Sequence, residues 1–139
     1  MNKNFIGVTF SNYKVVVNNA KKVSGHDDTL PFNADFEVYK DGNLFFDGKA
    51  WNDGWGGPSC LNYDKKNHKQ KEEELDNVCQ SMFTWEFASG ERKFEMSEKL
   101  VDIVETLAFI AICFPKNCGK VFSDKELQDY FRKGYFRCA

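Results

Sequence analysis

Alternating hydrophobic and polar positions mark the first sixty residues of the chain. Between Pro31 and Tyr39, apolar residues at 32, 34, 36 and 38 alternate with polar residues. A period of two indicates a strand with one buried face. Residues 4–10 and 13–17 are rich in β-branched and aromatic side chains, as strands are. This half of the chain is therefore predicted to form strands.

An Asp-Gly pair, Asp41-Gly42, follows the alternating strand. It predicts a hairpin, because a type I′ turn needs positive φ at both central residues. Residues 43–51 form the return strand, in which Gly48 is either a bulge or a point of close approach. A further Asp-Gly pair at 53–54 ends that strand.

Helical periodicity replaces alternation from Asn67 onward. The first predicted helix carries an apolar stripe, and the second runs from a cap at Ser97 through Cys113, where Pro115 stops it. The third begins with a capping box, Ser123 and Glu126, and ends at Gly134. The stripe residues predicted to face inward are Leu75, Val78, Cys79, Met82 and Phe83 in the first helix, Leu100, Val104, Leu107, Ala108 and Ala111 in the second, and Leu127, Tyr130 and Phe131 in the third.

Strands followed by helices predict an α+β fold, in which an antiparallel sheet from the N-terminal half packs against two or three C-terminal helices. Residues 1–139 are expected to form a single domain, with 1–63 mainly β and 67–139 mainly α. A chain of this length buries about two-thirds of its unfolded surface.

Charge and cysteine content narrow the class of protein. The formal charge of −2 gives no overall attraction to nucleic acid or acidic membranes. Five cysteines without a Cys-x-x-Cys pair fit reduced thiols. The most apolar run, residues 100–114, contains Asp102 and Glu105 and is too short to span a bilayer. We expect a cytoplasmic protein without a membrane or nucleic-acid partner.

Recognisable catalytic and metal-binding motifs are missing from the sequence. The cysteines and the two histidines, His26 and His68, lack zinc-site spacing, and neither a Walker A nor a Gly-x-Gly-x-x-Gly motif occurs. Nucleophilic catalysis would need a base beside a thiol or hydroxyl, and both histidines lie in polar, loop-like stretches. The sequence thus predicts no catalytic residue, no metal, no cofactor and no enzymatic activity.

The glycine-rich segment from Gly48 to Cys60 is the strongest functional lead. Its backbone N–H groups could form a concave nest for a phosphate or carboxylate, with indoles to stack on a ring and lysines to add charge. The alternative is a plain β-turn in which Trp51 and Trp55 are near cross-strand partners. The candidate ligand-binding residues are Lys49, Trp51, Asn52, Asp53, Gly54, Trp55, Gly56, Gly57 and Lys65.

Residues 24–58 resemble a family of small, mostly uncharacterised proteins encoded by phages and other bacterial mobile elements. The shared pattern is a Thr-x-x-Phe-x-Ala strand, an Asp-Gly hairpin and an Asn-Asp-Gly-x-Gly-Gly turn. The matching residues are Ser24, Thr29, Phe32, Ala34, Tyr39, Asp41, Gly42, Asn52, Asp53, Gly54, Gly56 and Gly57. The resemblance implies a role in the bacterial host cell and carries no catalytic residue with it.

Three hypotheses about function follow. The first is a non-enzymatic inhibitor of a host defence pathway that binds and sequesters a nucleotide-like signalling molecule. The second is a protein–protein inhibitor of a defence effector, of the anti-CRISPR kind, with the tryptophans as its hot spot. The third is a hydrolase of a nucleotide signal. The aromatic content of 16% is compatible with a homodimer or a higher homo-oligomer.

Overall fold

The computed structural model of the chain describes residues 4–82, 84–85, 96–97 and 99–133. In this part of the chain, strands fill the N-terminal half and helices most of the C-terminal half. The elements in chain order are β1 (Phe5–Phe10), β2 (Tyr13–Lys22), β3 (Phe32–Lys40), β4 (Asn43–Asn52), β5 (Cys60–Tyr63), α1 (Lys65–Met82), β6 (Thr84–Trp85), β7 (Met96–Ser97), α2 (Leu100–Cys113), β8 (Val121–Ser123) and α3 (Asp124–Lys133). A short 3₁₀ turn, Pro115–Asn117, links α2 to β8.

A six-stranded sheet in the order β5-β4-β3-β2-β1-β8 forms the centre of the fold. β1 to β5 pair antiparallel with one another, and the predicted α+β architecture is confirmed. The sheet is mixed rather than purely antiparallel, because β8 pairs in parallel with β1, with Val8 opposite Phe122. The sequence predicts Ser123 as the cap of the third helix, but it does not predict a strand at the three residues of β8. β6 and β7 pair separately.

The β3–β4 hairpin has the predicted geometry. Asp41 and Gly42 have φ angles of 52° and 83°, and Lys40 pairs with Asn43 across the turn. The four alternating apolar side chains of β3 are buried. The register shift lies between Val38 and Tyr39, at a distance from Gly48.

Gly48 is the predicted point of close approach. It pairs regularly with Phe36 of β3 and Tyr63 of β5. A Cβ atom on Gly48 would lie 2.5 Å from the Asn62 carbonyl oxygen and 2.9 Å from the Phe36 ring. The glycine therefore lets β5 and the Phe36 ring pack against β4.

α2 is the central helix of the apolar layer. Leu100, Ile103, Val104, Leu107 and Ile110 are fully buried and belong to the core that also holds the inward faces of β1 to β4. Of the residues predicted to face inward in this helix, Leu100, Val104, Leu107 and Ala108 are buried and Ala111 is partly buried.

The start of α2 differs from the prediction. Ser97 lies in β7, and the N-cap position is Lys99. Asp76 of α1 accepts a hydrogen bond from the Leu100 amide at 2.9 Å, and Asp102 accepts one from the Lys99 amide at 3.1 Å. The cap at Ser97 was wrong because a carboxylate from another helix satisfies the first free amide.

Two tyrosines and a lysine hold α1 against the sheet. The Tyr13 hydroxyl donates to Glu74 at 2.5 Å, the Tyr63 hydroxyl donates to Glu72 at 2.5 Å, and Lys71 Nζ donates to the Phe45 carbonyl at 2.9 Å. On the apolar side of α1, Leu75 and Cys79 are fully buried and Val78 is partly buried, as predicted. The predicted inward positions of Met82 and Phe83 lie outside the described side chains.

The capping box of α3 is confirmed. The Glu126 amide donates to Ser123 Oγ at 3.2 Å, and the Ser123 amide donates to Glu126 Oε1 at 3.1 Å. Phe122 and Leu127 are both buried. The predicted inward positions of Tyr130 and Phe131 lie outside the described side chains. Within the described ranges, no helix is long and apolar enough to cross a membrane.

Candidate ligand-binding site

Asn52, the last residue of β4, organises the glycine-rich segment. Its side chain is 5% exposed and points to the helix side of the sheet. Asn52 Oδ1 accepts hydrogen bonds from the Gly54 amide at 2.7 Å and from Thr29 Oγ1 at 3.0 Å. Asn52 Nδ2 donates to the Gly57 carbonyl at 3.2 Å and to Ser59 Oγ at 3.1 Å. A single amide thus ties both ends of the turn to a second loop.

That second loop, residues 23–31, packs directly on residues 53–59. The His26 amide donates to the Asp53 carbonyl at 3.1 Å, and the Thr29 amide donates to the Gly54 carbonyl at 3.0 Å. Gly54 has a φ of 86°, and a Cβ atom there would collide with the His26 carbonyl. Only glycine combines this dihedral angle with this contact. The 23–31 loop and the 53–59 loop are therefore joined into one structural unit.

Two of the amides predicted to form an anion nest are already used. The Gly54 amide donates to Asn52, and the Trp55 amide donates to Asp53 Oδ1 at 3.1 Å in an Asx turn. Among the residues that the structure describes, the amides of Gly56 and Gly57 have no hydrogen-bond partner. The nest is thereby reduced to these two positions, which are exposed.

The two tryptophans of the segment occupy different surfaces. The Trp55 side chain is 67% exposed, and its indole stacks on the His26 ring with centroids 4.0 Å apart. His26 Nδ1 lies 3.3 Å from Asp28 Oδ2. Trp51 pairs with Asn33 and Cys60, so the alternative that Trp51 and Trp55 are cross-strand partners is wrong.

The lysines predicted to serve the loop lie elsewhere. Lys49 and Trp51 project from the sheet face opposite Asn52, because successive residues of a strand alternate. Lys49 Nζ forms an ion pair with Asp35 at 2.9 Å on that face. Lys65 lies beyond Tyr63, the residue of β5 that pairs with Gly48. Tyr63 is three residues, or about 10 Å along the strand, from Cys60 at the loop end of β5. The structure therefore separates Lys49, Trp51 and Lys65 from the other candidates.

A cavity of about 700 Å³ opens between the two loops and α2. Its walls combine backbone, apolar and acidic groups. Lys22 is the one cationic side chain among the lining residues that the structure describes. The lining residues are Lys22, Asp27, Asp28, Thr29, Leu30, Pro31, Phe32, Asn52, Gly56, Gly57, Pro58, Ser59, Asp102, Glu105, Phe109 and Cys113.

Glu105 of α2 is partly buried and lines this cavity. Ser59 Oγ, itself 7% exposed, donates a hydrogen bond to Glu105 Oε2. Burial raises the pKa of Glu105 above its ordinary value, the hydrogen bond from Ser59 opposes that rise, and the nearby Asp102 adds to it. Burying a carboxylate costs free energy. Groups in clefts whose pKa values are shifted in this way are concentrated at functional sites.

The sequence analysis missed the α2 side of the site. Asp102 and Glu105 were used only to exclude a membrane span, although acidic residues three apart in an apolar helix share one face. Phe109, one turn after Glu105, continues that face. The position of Lys22 had no signal of its own, because only the tertiary packing brings the end of β2 to the glycine turn.

In the part of the chain that the structure describes, no group of three or more His, Cys, Asp or Glu side chains could hold a metal ion. Comparisons of the chain with known protein families, curated proteins and solved structures find no match.

Proposed function

We propose that this protein is a non-enzymatic binding protein that holds a nucleotide-like small molecule in the cavity between the two loops and α2. In the cytoplasm of a bacterial host it would sequester a signalling molecule of a defence pathway, as the resemblance to mobile-element proteins implies. The cavity beside the glycine turn is the observation that carries the proposal.

The size and composition of the cavity support a small-molecule ligand. Sites for small molecules occupy about 300–1,000 Å³ and combine apolar walls with a few polar groups. This cavity measures about 700 Å³ and is lined by Phe32, Phe109 and Leu30 beside the buried Asn52–Ser59 network. Because the 23–31 and 53–59 loops are locked by backbone hydrogen bonds, little ordering would oppose binding.

The charges of the cavity restrict the kind of nucleotide. Among the described residues, four carboxyl groups (Asp27, Asp28, Asp102 and Glu105) and one lysine (Lys22) line the cavity. A phosphate can approach the amides of Gly56 and Gly57 at the rim, and Lys22 supplies one positive charge. Repulsion from the carboxylates would disfavour each further phosphate, since like charges at close range are costly in a partly dry cavity. The proposal therefore favours a nucleoside or a nucleoside monophosphate over a triphosphate.

Calorimetric titration with nucleosides and their mono-, di- and triphosphates tests the proposal. We expect one ligand per cavity, weaker binding as phosphates are added, and recovery of the ligand intact after denaturation. Gly57→Val should fold normally, because the space around the Gly57 Cβ position is open. It should lose binding, because Gly57 lines the cavity and the valine side chain would obstruct the ligand. Lys49→Ala, on the opposite sheet face, is the matched control. The proposal fails if no compound binds; turnover of the ligand would indicate a hydrolase instead.

Exposed tryptophan favours a second candidate, a protein–protein inhibitor of a defence effector. The Trp55 side chain is 67% exposed, and it does not line the cavity. Tryptophan is a frequent hot spot of interfaces. Under this alternative, Trp55→Ala would abolish capture of one stoichiometric host protein, and Gly57→Val would not affect it.

A further inference from the structure

We propose that Glu105 recognises the ligand through two parallel N–H donors on the edge of a planar ring, and that the ligand is a guanine nucleoside or its monophosphate. This inference rests on the proposed function and adds the identity of the base and the residue that selects it.

The carboxylate of Glu105 has acceptor capacity beyond its hydrogen bonds to Ser59. A carboxylate has about four acceptor positions. In the described part of the chain, the donors to this carboxylate belong to Ser59, which donates through its hydroxyl and through its backbone. Glu105 also lines the cavity, so we expect its remaining acceptor positions to be within reach of a ligand held there. A ligand with two adjacent donors would satisfy both oxygens at once.

Aromatic side chains form part of the cavity wall beside Glu105. Phe109 lies four residues further along α2, and residues four apart are neighbours on one helix face. The Phe109 side chain is 8% exposed and lines the same cavity, as does Phe32. A flat ring that contacts the Phe109 side would present its edge to Glu105. Contact between aromatic groups and bases is favourable and tolerates any base, so selection would fall to Glu105.

Hydrogen-bond patterns distinguish the bases at this carboxylate. Guanine presents a ring N–H and an exocyclic amino group side by side, which matches two carboxylate oxygens. Adenine presents a ring acceptor beside its amino group, and that acceptor would face a carboxylate oxygen. Leaving such a buried polar group unmatched produces strong discrimination. A guanidinium ion has the same pair of donors as guanine but lacks the ring system. Its binding therefore shows whether the donors alone, without a base, account for the affinity.

Calorimetry on the wild-type protein at pH 7.5 tests the inference without a variant. We expect guanosine monophosphate to bind about tenfold to a hundredfold more tightly than adenosine monophosphate, as one good bidentate pair allows. Inosine monophosphate, which lacks the exocyclic amino group, should bind about tenfold more weakly than guanosine monophosphate. Guanidinium should bind far more weakly than either. Equal affinity for inosine and guanosine monophosphates, or tighter binding of guanidinium, would overturn the inference.

Glu105→Gln provides the reciprocal test. Its amide offers one donor and one acceptor, which complements the edge of adenine. The preference for guanosine over adenosine monophosphate should therefore fall at least tenfold. Glu73→Gln, an exposed position on α1, is the matched control and should keep the preference. If the wild-type protein binds nucleotides without preferring guanine, only the recognition by Glu105 is wrong. If it binds none, the proposed function fails with it.

Discussion

The carbonyl oxygen of His26 occupies the space in which a side chain on Gly54 would lie. This contact joins the 23–31 loop to the 53–59 loop, and the amides of His26 and Thr29 complete it with hydrogen bonds to the carbonyls of Asp53 and Gly54. The glycine-rich turn is therefore one half of a two-loop unit that forms a wall of the cavity.

Gly54→Ala should destabilise the protein far more than Gly57→Ala. Alanine at Gly54 would suffer both a φ of 86° and a collision with backbone, which together should cost about 2 kcal/mol or more. A Cβ atom at Gly57 meets nothing within 4 Å, and we expect a change within about 0.5 kcal/mol. Urea unfolding measures both free energies. Equal stabilities of the two variants would contradict the contact between the loops.

Asn52→Ala should be among the most destabilising polar substitutions in the loops. It removes four hydrogen bonds of a side chain that is 5% exposed and leaves buried partners unsatisfied, at a cost of about 3 kcal/mol. Asn33→Ala, at an exposed position of β3, is the matched control and should cost less than about 1 kcal/mol. Thermal unfolding of the two variants, measured in parallel, provides the comparison. Equal unfolding midpoints for Asn52→Ala and Asn33→Ala would contradict the hydrogen-bond network at Asn52.

Glu105→Gln should change how stability depends on pH. Because burial raises the pKa of Glu105 in the folded protein, the folded state retains a proton that the unfolded state has lost. The wild-type protein therefore loses stability relative to Glu105→Gln as the pH rises from the pKa of Glu105 in the unfolded state to its higher pKa in the folded state. Urea unfolding at pH 4.5 and pH 8 should show a larger advantage of the variant at pH 8. An advantage that shrinks towards pH 8 would contradict the burial of this carboxylate.

Lys22→Ala should weaken ligand binding and Lys49→Ala should not, because the two lysines lie on different faces of the sheet. Lys22 lines the cavity, whereas Lys49 pairs with Asp35 on the opposite face. Loss of one exposed charge near a phosphate should weaken binding of guanosine monophosphate by about fivefold at most, an effect of about 1 kcal/mol. Lys49→Ala should change the affinity less than twofold. Calorimetry at low salt would contradict the placement of the site if the two variants behave alike.

The N-terminal half of the fold could be predicted from local sequence because its signals are local. The alternation in β3 and the Asp41-Gly42 turn each specify their own backbone geometry, and both predictions are confirmed. The Ser123–Glu126 capping box is a signal of the same kind. β8 escaped prediction because three residues have too little periodicity, and its parallel pairing with β1 spans more than a hundred residues of chain.

The candidate site could be predicted only in part. The turn residues Asn52 to Gly57 stand out through glycine and Asx chemistry, and Asn52, Gly56 and Gly57 line the cavity. Lys49 and Lys65 were grouped with the turn by sequence distance, but strand alternation and the direction of β5 place them elsewhere. Glu105, Phe109 and Lys22 come from distant parts of the chain, and packing alone brings them together.

Small-molecule capture from a bacterial extract tests the central claim most directly. Wild-type protein and Gly57→Val would be exposed to the extract, washed and denatured, and the released compounds identified by mass spectrometry. The account predicts that the wild-type protein releases one intact compound with a nucleobase, close to one molecule per cavity, and that folded Gly57→Val releases none. Release of no such compound by either protein, or equal release by both, would contradict it.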